Sequence, residues 1–307
     1  MATRSAPRLN VLKTYKLYID GKFPRTESGR TMIIEAAKGA GKEQVFAHLC
    51  RASRKDLREA VEAARKAQPN WAGATAYLRG QILYRMAEML EGKKRELIEA
   101  IEGVGSGSGS AKKSKGAKPL DAETEVLASI DRLVCYAGWA DKYSQVLGCN
   151  NPVAGPFYNF TSPEPTGVVA AITPDEAPLL AFISLVAPAL CAGNAVVALA
   201  SETNPVPAAV FAEACATGDV PGGVLNILTG FRSELVPVIA AHRDIDAIHA
   251  ANMSVEETTT LKQGAAENIK RVIVRNVPDW LDTADAHSPW RIEPLIDFKT
   301  MWHPASA

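Results

Sequence analysis

The sequence predicts an α/β protein built around a doubly wound, mainly parallel sheet of five strands. Between residues 167 and 274, short apolar runs alternate with longer segments of helical periodicity, and Gly or Pro flanks most of the short runs. Such alternation is typical of parallel strands joined by crossover helices, the Rossmann-like arrangement. The chain has 307 residues, 47% hydrophobic and 22% charged, a balance typical of a globular protein with a large core.

The pattern places each element of this region in order. Strands are predicted at 167–172, 195–199, 224–228, 247–249 and 271–274. Helices are predicted between them at 178–191, 206–216, 234–241 and 255–266. The first of these helices is apolar on nearly every face, which indicates that it is buried against the sheet.

The amino-terminal part begins with a turn and a helix. Residues 15–26 alternate in polarity and turn at Asp20-Gly21, which predicts a short hairpin. Ser53 is a favourable N-cap, so a helix is predicted after it. Pro69 is predicted to end this helix, because proline lacks the amide hydrogen that the helix needs.

Two more helices and a flexible segment are predicted before residue 143. The spacing of apolar residues predicts a helix over 76–101, with a break at Gly92. Another helix is predicted over 121–143. Residues 103–118 are almost entirely Gly, Ser and Lys, so we expect a flexible loop there. Its lysines could contact an acidic partner, but a solvated loop is the favoured interpretation.

One further segment is predicted to be extended. Residues 143–165 predict two strands joined by a turn that contains Pro and Gly.

Composition and charge exclude several classes of protein. The formal net charge is zero, which argues against a nucleic-acid-binding protein. The five cysteines are widely spaced and form no CxxC pair, so no metal site is predicted and reduced thiols are expected. The apolar stretch 177–193 contains Pro178 and Pro188, which favours a buried helix over a membrane span. No secretory leader is recognisable, so the predicted location is cytoplasmic, without membrane attachment.

Several motifs in register resemble the aldehyde dehydrogenase family. They begin at the Tyr-Ile-Asp-Gly-Lys segment and continue in order to about residue 274. The most specific are YAGWADK at 136–142, EPTGVV at 164–169, PALCAGNAVV at 188–197, VPGGVLNI at 220–227 and IKRV at 269–272. The resemblance implies a sheet of aldehyde-dehydrogenase type in an NAD-binding-like α/β domain. It assigns 1–142 and 166–278 to that domain, and 143–165 with 291–304 to β elements used in oligomerisation. It also implies that residues 295–302 form the family's final strand and that a linker at 279–290 leads to it.

The catalytic residues that the family would supply are not found. The family's segment after the first sheet strand carries an Asn that stabilises an oxyanion, and Glu176 stands there in this chain. The family's general-base Glu corresponds to Arg275, which cannot accept a proton. The nucleophilic Cys lies further along in the family, whereas no cysteine follows Cys215 here. The resemblance therefore implies an internal deletion of the catalytic domain, and no catalytic residue is predicted.

The residues that hold the cofactor in the family are also largely changed. The family's Lys-Pro-Ser/Ala-Glu segment, which grips the adenosine ribose, matches residues 199–202, and only Glu202 survives. The glycine-rich turn beside the pyrophosphate matches 252–257, which contains no glycine. Glu202, Pro174 and Gly230 are the predicted cofactor contacts. No cofactor is assigned, and NAD(P) binding is expected to be weak or absent.

Carboxylates at the strand ends support this expectation independently of the family. Ligands of open parallel sheets bind at the carboxyl ends of the strands. Here those ends carry Asp175, Glu176, Glu202, Glu256 and Glu257. Such carboxylates stabilise helix starts but repel a pyrophosphate.

Other catalytic arrangements are less favoured. An acid/base pair of Asp175 and Glu176 is disfavoured because adjacent side chains usually point apart. His242 and His249 have no Ser or Cys partner at a telling spacing, so structural roles are expected. Cys191 lies in an apolar helix, where a buried structural thiol is the usual case.

The leading functional hypothesis is a non-catalytic subunit. Five aromatic residues lie in the two segments that pair between subunits in the family: Phe157, Tyr158, Phe160, Phe298 and Trp302. They favour an interface over internal packing, so the chain is expected to form a homo-oligomer or a hetero-oligomer with a full-length aldehyde dehydrogenase. Two alternatives stay open. One is an NAD(P)-dependent aldehyde dehydrogenase with unorthodox or inter-subunit site residues, and the other is a ligand sensor with an adenosine pocket around Glu202.

Overall fold

A small sheet opens the structure. The computed structural model describes residues 11–37, 45–104 and 120–305. Its first three strands are β1 (Thr14–Tyr15), β2 (Thr31–Glu35) and β3 (Val45–Cys50). They form a three-stranded sheet in the order β1-β3-β2, which the sequence analysis did not predict.

The predicted turn at Asp20-Gly21 is present in the link between β1 and β2. Ile19 and Lys22 exchange two backbone hydrogen bonds across it, at 2.9 and 3.0 Å. Asp20 and Gly21 both have positive φ, 54° and 71°, as a tight hairpin turn requires.

The first helix is longer than predicted. Helix α1 (Arg54–Gly73) begins after Ser53, whose side chain and Asp56 form a capping box. Pro69 lies inside the helix, so the prediction that it ends there is wrong. The last turn is held by buried Trp71, whose Nε1 donates to the carbonyl of Leu190 at 3.0 Å. This anchor offsets the hydrogen bond that proline removes.

Within the described residues, four further helices precede the large sheet. They are α2 (Ala76–Gly92), α3 (Lys94–Glu102), α4 (Ala122–Trp139) and α5 (Tyr143–Leu147). The predicted break at Gly92 is confirmed. The prediction that residues 143–147 form a strand is wrong, because the buried side chains Tyr143 and Leu147 are four residues apart and share one helical face. Most of the predicted loop at 103–118 lies outside the described residues, although Val104 forms a bridge with Ala36.

The central sheet has the predicted class and strand number. Its strands are β6 (Val168–Ile172), β7 (Ala195–Leu199), β8 (Leu225–Leu228), β9 (Ala247–Ala251) and β10 (Arg271–Arg275). They run parallel in the order β10-β9-β6-β7-β8. The crossover helices are α6 (Leu180–Cys191), α7 (Val206–Thr217), α8 (Arg232–Ala241) and α9 (Val255–Ala266).

Helices cover both faces of this sheet. Helices α2, α4, α6 and α7 form one apolar core against it, and α1, α8 and α9 form the other. Every α6 residue except Ser184 is buried, as its sequence predicts. Among the residues that the structure describes, no helix is both long and apolar enough to cross a membrane.

The third sheet is antiparallel. It consists of β4 (Cys149–Asn151), β5 (Phe157–Pro165) and β11 (Ile296–Pro304), in the order β11-β5-β4. The pairing of β5 with β11 extends over nine residues, from Pro165 opposite Ile296 to Phe157 opposite Pro304. We call this sheet the arm.

The chain between β10 and the arm packs on the domain. It contains α10 (Thr283–Ala286) and 3-10 turns at Pro289–Arg291 and Glu293–Leu295. Trp280, Ile292 and Leu295 are buried within it. Tyr136 Oη and Trp139 Nε1, both on α4, donate to the carbonyls of Ala286 and His287 at 2.8 Å each.

Candidate functional site

The candidate site is the crevice at the carboxyl ends of the central strands. The chain goes from β6 to β7 and β8 on one side, then crosses to β9 and β10 on the other. The strand order therefore reverses between β6 and β9, and ligands of open α/β sheets bind at such a point.

Asp175 joins the loops that follow β6 and β7. Its Oδ1 accepts hydrogen bonds from Ser201 Oγ at 2.9 Å, from the Glu202 amide at 3.0 Å and from the Thr203 amide at 3.1 Å. Its Oδ2 forms an ion pair with Arg232. Burial alone would raise the pKa of Asp175, but Arg232 and these hydrogen bonds hold it below its ordinary value. Asp175 is therefore an ionised structural group.

Arg232, the first residue of α8, spans the crevice. Its guanidinium lies between Asp175 and Glu257, with Nη1 3.9 Å from Glu257 Oε1. Its backbone amide donates to Glu202 Oε2 at 2.8 Å, so the Glu202 carboxylate caps α8. We call Asp175, Glu202, Arg232 and Glu257 the crevice network. The charged groups that a nucleotide bound in the crevice would contact are therefore already paired with one another within the protein.

The amino terminus of α9 is likewise occupied by its own side chains. Ser254 Oγ accepts from the Glu257 amide at 3.1 Å, and Glu257 Oε2 accepts from the Ser254 amide at 2.9 Å. Asn252, two residues before Ser254, has φ 49°, and its side-chain nitrogen and oxygen both form hydrogen bonds with the backbone of Val277. A phosphate at this helix start would have to displace the capping box and approach the Glu257 carboxylate.

The three predicted cofactor contacts lie at this edge of the sheet but differ in accessibility. Glu202 is partly exposed, with one oxygen bonded to α8. Pro174 is buried. Gly230 is also buried, and a Cβ there would lie 3.2 Å from Leu235 Cδ1 and 3.5 Å from the Ala52 backbone. Of the three, Glu202 alone presents a polar group to the crevice.

Arg232 is a site residue that was not predicted from the sequence. It is the one Lys or Arg among the residues that directly follow the first four predicted strands. Several carboxylates are predicted at those strand ends, and such a cluster favours a nearby cation. Arg232 could therefore have been predicted as their partner.

His249, Cys191 and Cys215 are buried groups near the sheet, as their sequence context predicts. His249 in β9 is buried, and burial, with the charge of Arg275, lowers its pKa to about 3. Its Nδ1 is 3.0 Å from the Leu185 carbonyl, which fixes the neutral ring. Burial raises the pKa of the Cys191 and Cys215 thiols, so neither forms a thiolate readily.

No metal centre is formed by the described parts of the chain. No group of three or more His, Cys, Asp or Glu side chains is arranged to hold an ion within 11–37, 45–104 and 120–305.

A five-stranded parallel sheet, covered by helices on both faces and with a crevice at its switch point, defines a Rossmann-like α/β fold. The model of the aldehyde dehydrogenase family matches residues 26–275. This chain belongs to the aldehyde dehydrogenase family.

Individual relatives agree with this assignment. The chain is 35% identical to retinal dehydrogenase 2 of Gallus gallus over 275 residues, covering 87% of this chain and 49% of that protein. It is 32% identical to the mitochondrial benzaldehyde dehydrogenase of Antirrhinum majus over 262 residues, with coverages of 84% and 46%. The NAD+ complex of an aldehyde dehydrogenase from Bacillus cereus superposes with a TM-score of 0.75 at 27% identity, with coverages of 89% and 54%. The chain therefore spans about half the length of the relatives that it matches.

Proposed function

We propose that this chain is a non-catalytic aldehyde-dehydrogenase-like subunit. In this proposal it assembles through the arm, with a copy of itself or with a full-length aldehyde dehydrogenase, and scaffolds or regulates that assembly. The observation that carries the proposal is the crevice network, because Arg232 spans the nucleotide crevice and pairs with its carboxylates. A cytoplasmic location is part of the proposal, supported by five unpaired cysteines.

Two positions near the sheet support the lack of catalysis. Glu176 is exposed beside the crevice and, when ionised, offers no donor to an oxyanion. Arg275 ends β10 with its Nε 3.4 Å from His249 Nε2, and a guanidinium is not a base at neutral pH. By the family resemblance, these are the positions of the oxyanion-stabilising Asn and the general base.

The arm supports assembly. Phe157, Phe298 and Trp302 lie on one face of it and are all exposed. The rings of Phe157 and Trp302 meet edge to face at 5.8 Å between centroids. The outer edge of β11 pairs with no other described strand. A nine-residue edge strand beside exposed aromatic rings is a surface that proteins usually cover.

Native mass spectrometry tests this assembly. The chain is measured alone and after co-expression with the full-length aldehyde dehydrogenases of its source organism. We expect a defined homo-oligomer or mixed oligomer that Trp302→Ser weakens, because this change removes a large exposed ring from the arm. The matched control is Trp290→Ser, since Trp290 is also exposed but lies outside the arm. A monomer under both conditions would contradict the proposal.

The second candidate is an NAD(P)-dependent aldehyde dehydrogenase that uses unorthodox residues or completes its site across an interface. Membership of a family of dehydrogenases favours it. Its test is reduction of NAD(P) by the pure protein with an aldehyde, compared with Glu176→Gln and Glu202→Gln. Calorimetry with NAD, AMP and ATP tests the adenosine sensor at the same time. Turnover lost in the variants would establish this candidate, and no heat from any nucleotide would exclude the sensor.

A further inference from the structure

A groove lies along the outer edge of β10, away from the crevice network. It has a volume of about 550 Å³, within the range of small-ligand sites. One wall is β10 with Asn276, and the other contains Asp285, Arg291 and Pro294. Among the described residues no strand pairs with this edge. The groove is therefore open along its length.

The groove has more positive than negative charge. Arg275 and Arg291 are its two cations, and Asp285 is its one carboxylate. Arg291 forms a bidentate ion pair with Asp285. Arg275 forms no ion pair with any carboxylate of the described residues, and the one hydrogen bond of its side chain within them is to His249. One guanidinium of the groove is thus left without a counter-ion.

His249 holds this unpaired guanidinium in place. Its Nδ1 donates to the Leu185 carbonyl, so Nε2 is the acceptor for Arg275 Nε at 3.4 Å. Because Nε is bound at the inner side, the two Nη groups of Arg275 are the donors left for the groove. Burial, and next the charge of Arg291, lower the pKa of Arg275, as expected for neighbouring cations.

A third cation lies behind the groove. Arg132 is 1% exposed and contacts neutral partners, with Nη1 2.5 Å from Ser184 Oγ and Nη2 3.1 Å from the Trp280 carbonyl. Its Nε has no partner in the described structure, and neither has Nε1 of Trp280, which is 9% exposed. Both residues, together with Arg291, line a cavity of about 10 Å³, enough for one water molecule. A buried guanidinium without a carboxylate adds to the positive field that reaches Arg291.

We propose that the groove beside β10 binds a small oxyanion, a carboxylate or a phosphate group, between Arg275 and Arg291. Planar guanidinium groups bind both kinds of anion through paired N–H donors. Ile273, which lies on the same face of β10 as Arg275, and Pro294 line the same groove and suit a ligand with a short apolar body. The site lies outside the crevice network and the arm, so the proposal is independent of nucleotide binding and of assembly.

Calorimetry at low ionic strength tests the site with two probes, sodium hexanoate and inorganic phosphate. Saturable binding of either probe is expected, with tighter binding of hexanoate if the apolar wall contributes. Arg275→Gln should weaken binding about tenfold or more, because it removes a charge-assisted pair of hydrogen bonds. The matched control is Arg243→Gln, which removes one positive charge from an exposed position that does not line the groove.

A variant that is expected to strengthen binding distinguishes a change at the site from a loss of folding. Asp285→Asn releases Arg291 from its ion pair, so it should tighten binding about two- to fivefold. Thermal unfolding of each variant reports whether the fold is intact. Binding that is absent for both probes would overturn the proposal. Equal weakening by Arg275→Gln and Arg243→Gln would also overturn it, because binding would then reflect net charge alone.

Discussion

Replacing Arg232 with Met removes the cation of the crevice network while keeping a long side chain. The side chains of Arg232 and Asp175 are 12% and 20% exposed, so the change leaves a largely buried carboxylate without its counter-ion. Breaking a fully buried pair costs about 3–5 kcal/mol. Asp175 keeps three hydrogen bonds, from Ser201 Oγ and from the amides of Glu202 and Thr203. These bonds and the partial exposure reduce the expected loss to about 2 kcal/mol.

Urea unfolding measures this loss, and a double-mutant cycle with Asp175→Asn isolates the pair. We expect a coupling energy of about 1–2 kcal/mol between Arg232 and Asp175. The control Arg243→Met, at an exposed position, should change the free energy of unfolding by less than about 0.5 kcal/mol.

The dependence on pH adds a second test of the same pair. Burial favours the neutral form of Asp175, and removing Arg232 takes away the charge that opposes it, so the pKa of Asp175 should rise and protonation should relieve its unpaired charge. In the wild type the pKa of Asp175 stays below its ordinary value, so its stabilising contribution persists to lower pH. The cost of Arg232→Met should therefore shrink between pH 7 and pH 4. A constant cost over that range, or a coupling energy near zero, would refute the reasoning.

Three further changes test other parts of the structure by urea unfolding. In the folded protein the pKa of His249 is about 3, below its ordinary value of 6.5, so the stability that His249 contributes is full above pH 6.5 and falls by about 2 kcal/mol at pH 5. His249→Gln should remove this loss, so the free energy of unfolding should depend less on pH between 7.5 and 5. Gly223→Ala should cost about 2 kcal/mol or more, because φ is +82° and the new Cβ would lie 2.5 Å from the Ala63 carbonyl oxygen. Ser254→Ala should cost about 1 kcal/mol through loss of the α9 cap. The reasoning would be contradicted if His249→Gln left the pH dependence unchanged. It would likewise be contradicted if Gly223→Ala or Ser254→Ala left the free energy of unfolding unchanged.

The central sheet could be predicted from sequence because its signals are local. Each of its five strands is a short apolar run between turn residues, and the parallel arrangement follows from the helices between them. The end of α1 could not be predicted in this way. Pro69 is a strong local stop signal, but the hydrogen bond from Trp71 to the distant Leu190 outweighs it.

The candidate site was harder to predict because it depends on contacts between distant segments. The carboxylates at the strand ends were visible in the sequence, and Asp175 and Glu202 do lie in the crevice network. Their binding by Arg232 depends on how three loops meet in space. The groove beside β10 also depends on contacts between distant segments. Arg275 and Arg291 come together only when the chain after β10 folds back on the domain.

The pairing of β5 with β11 also means that β5 is synthesised long before its partner strand. Thr161 and Thr300, which face each other across the arm, are 139 residues apart. At a synthesis rate of about 5–20 residues per second, the partner strand of β5 emerges roughly 7–28 s after β5 itself. During that interval its aromatic residues and its unpaired edge are open to neighbouring nascent chains. Yield in cells should therefore depend on chaperones that shield β5, even if the finished protein is stable.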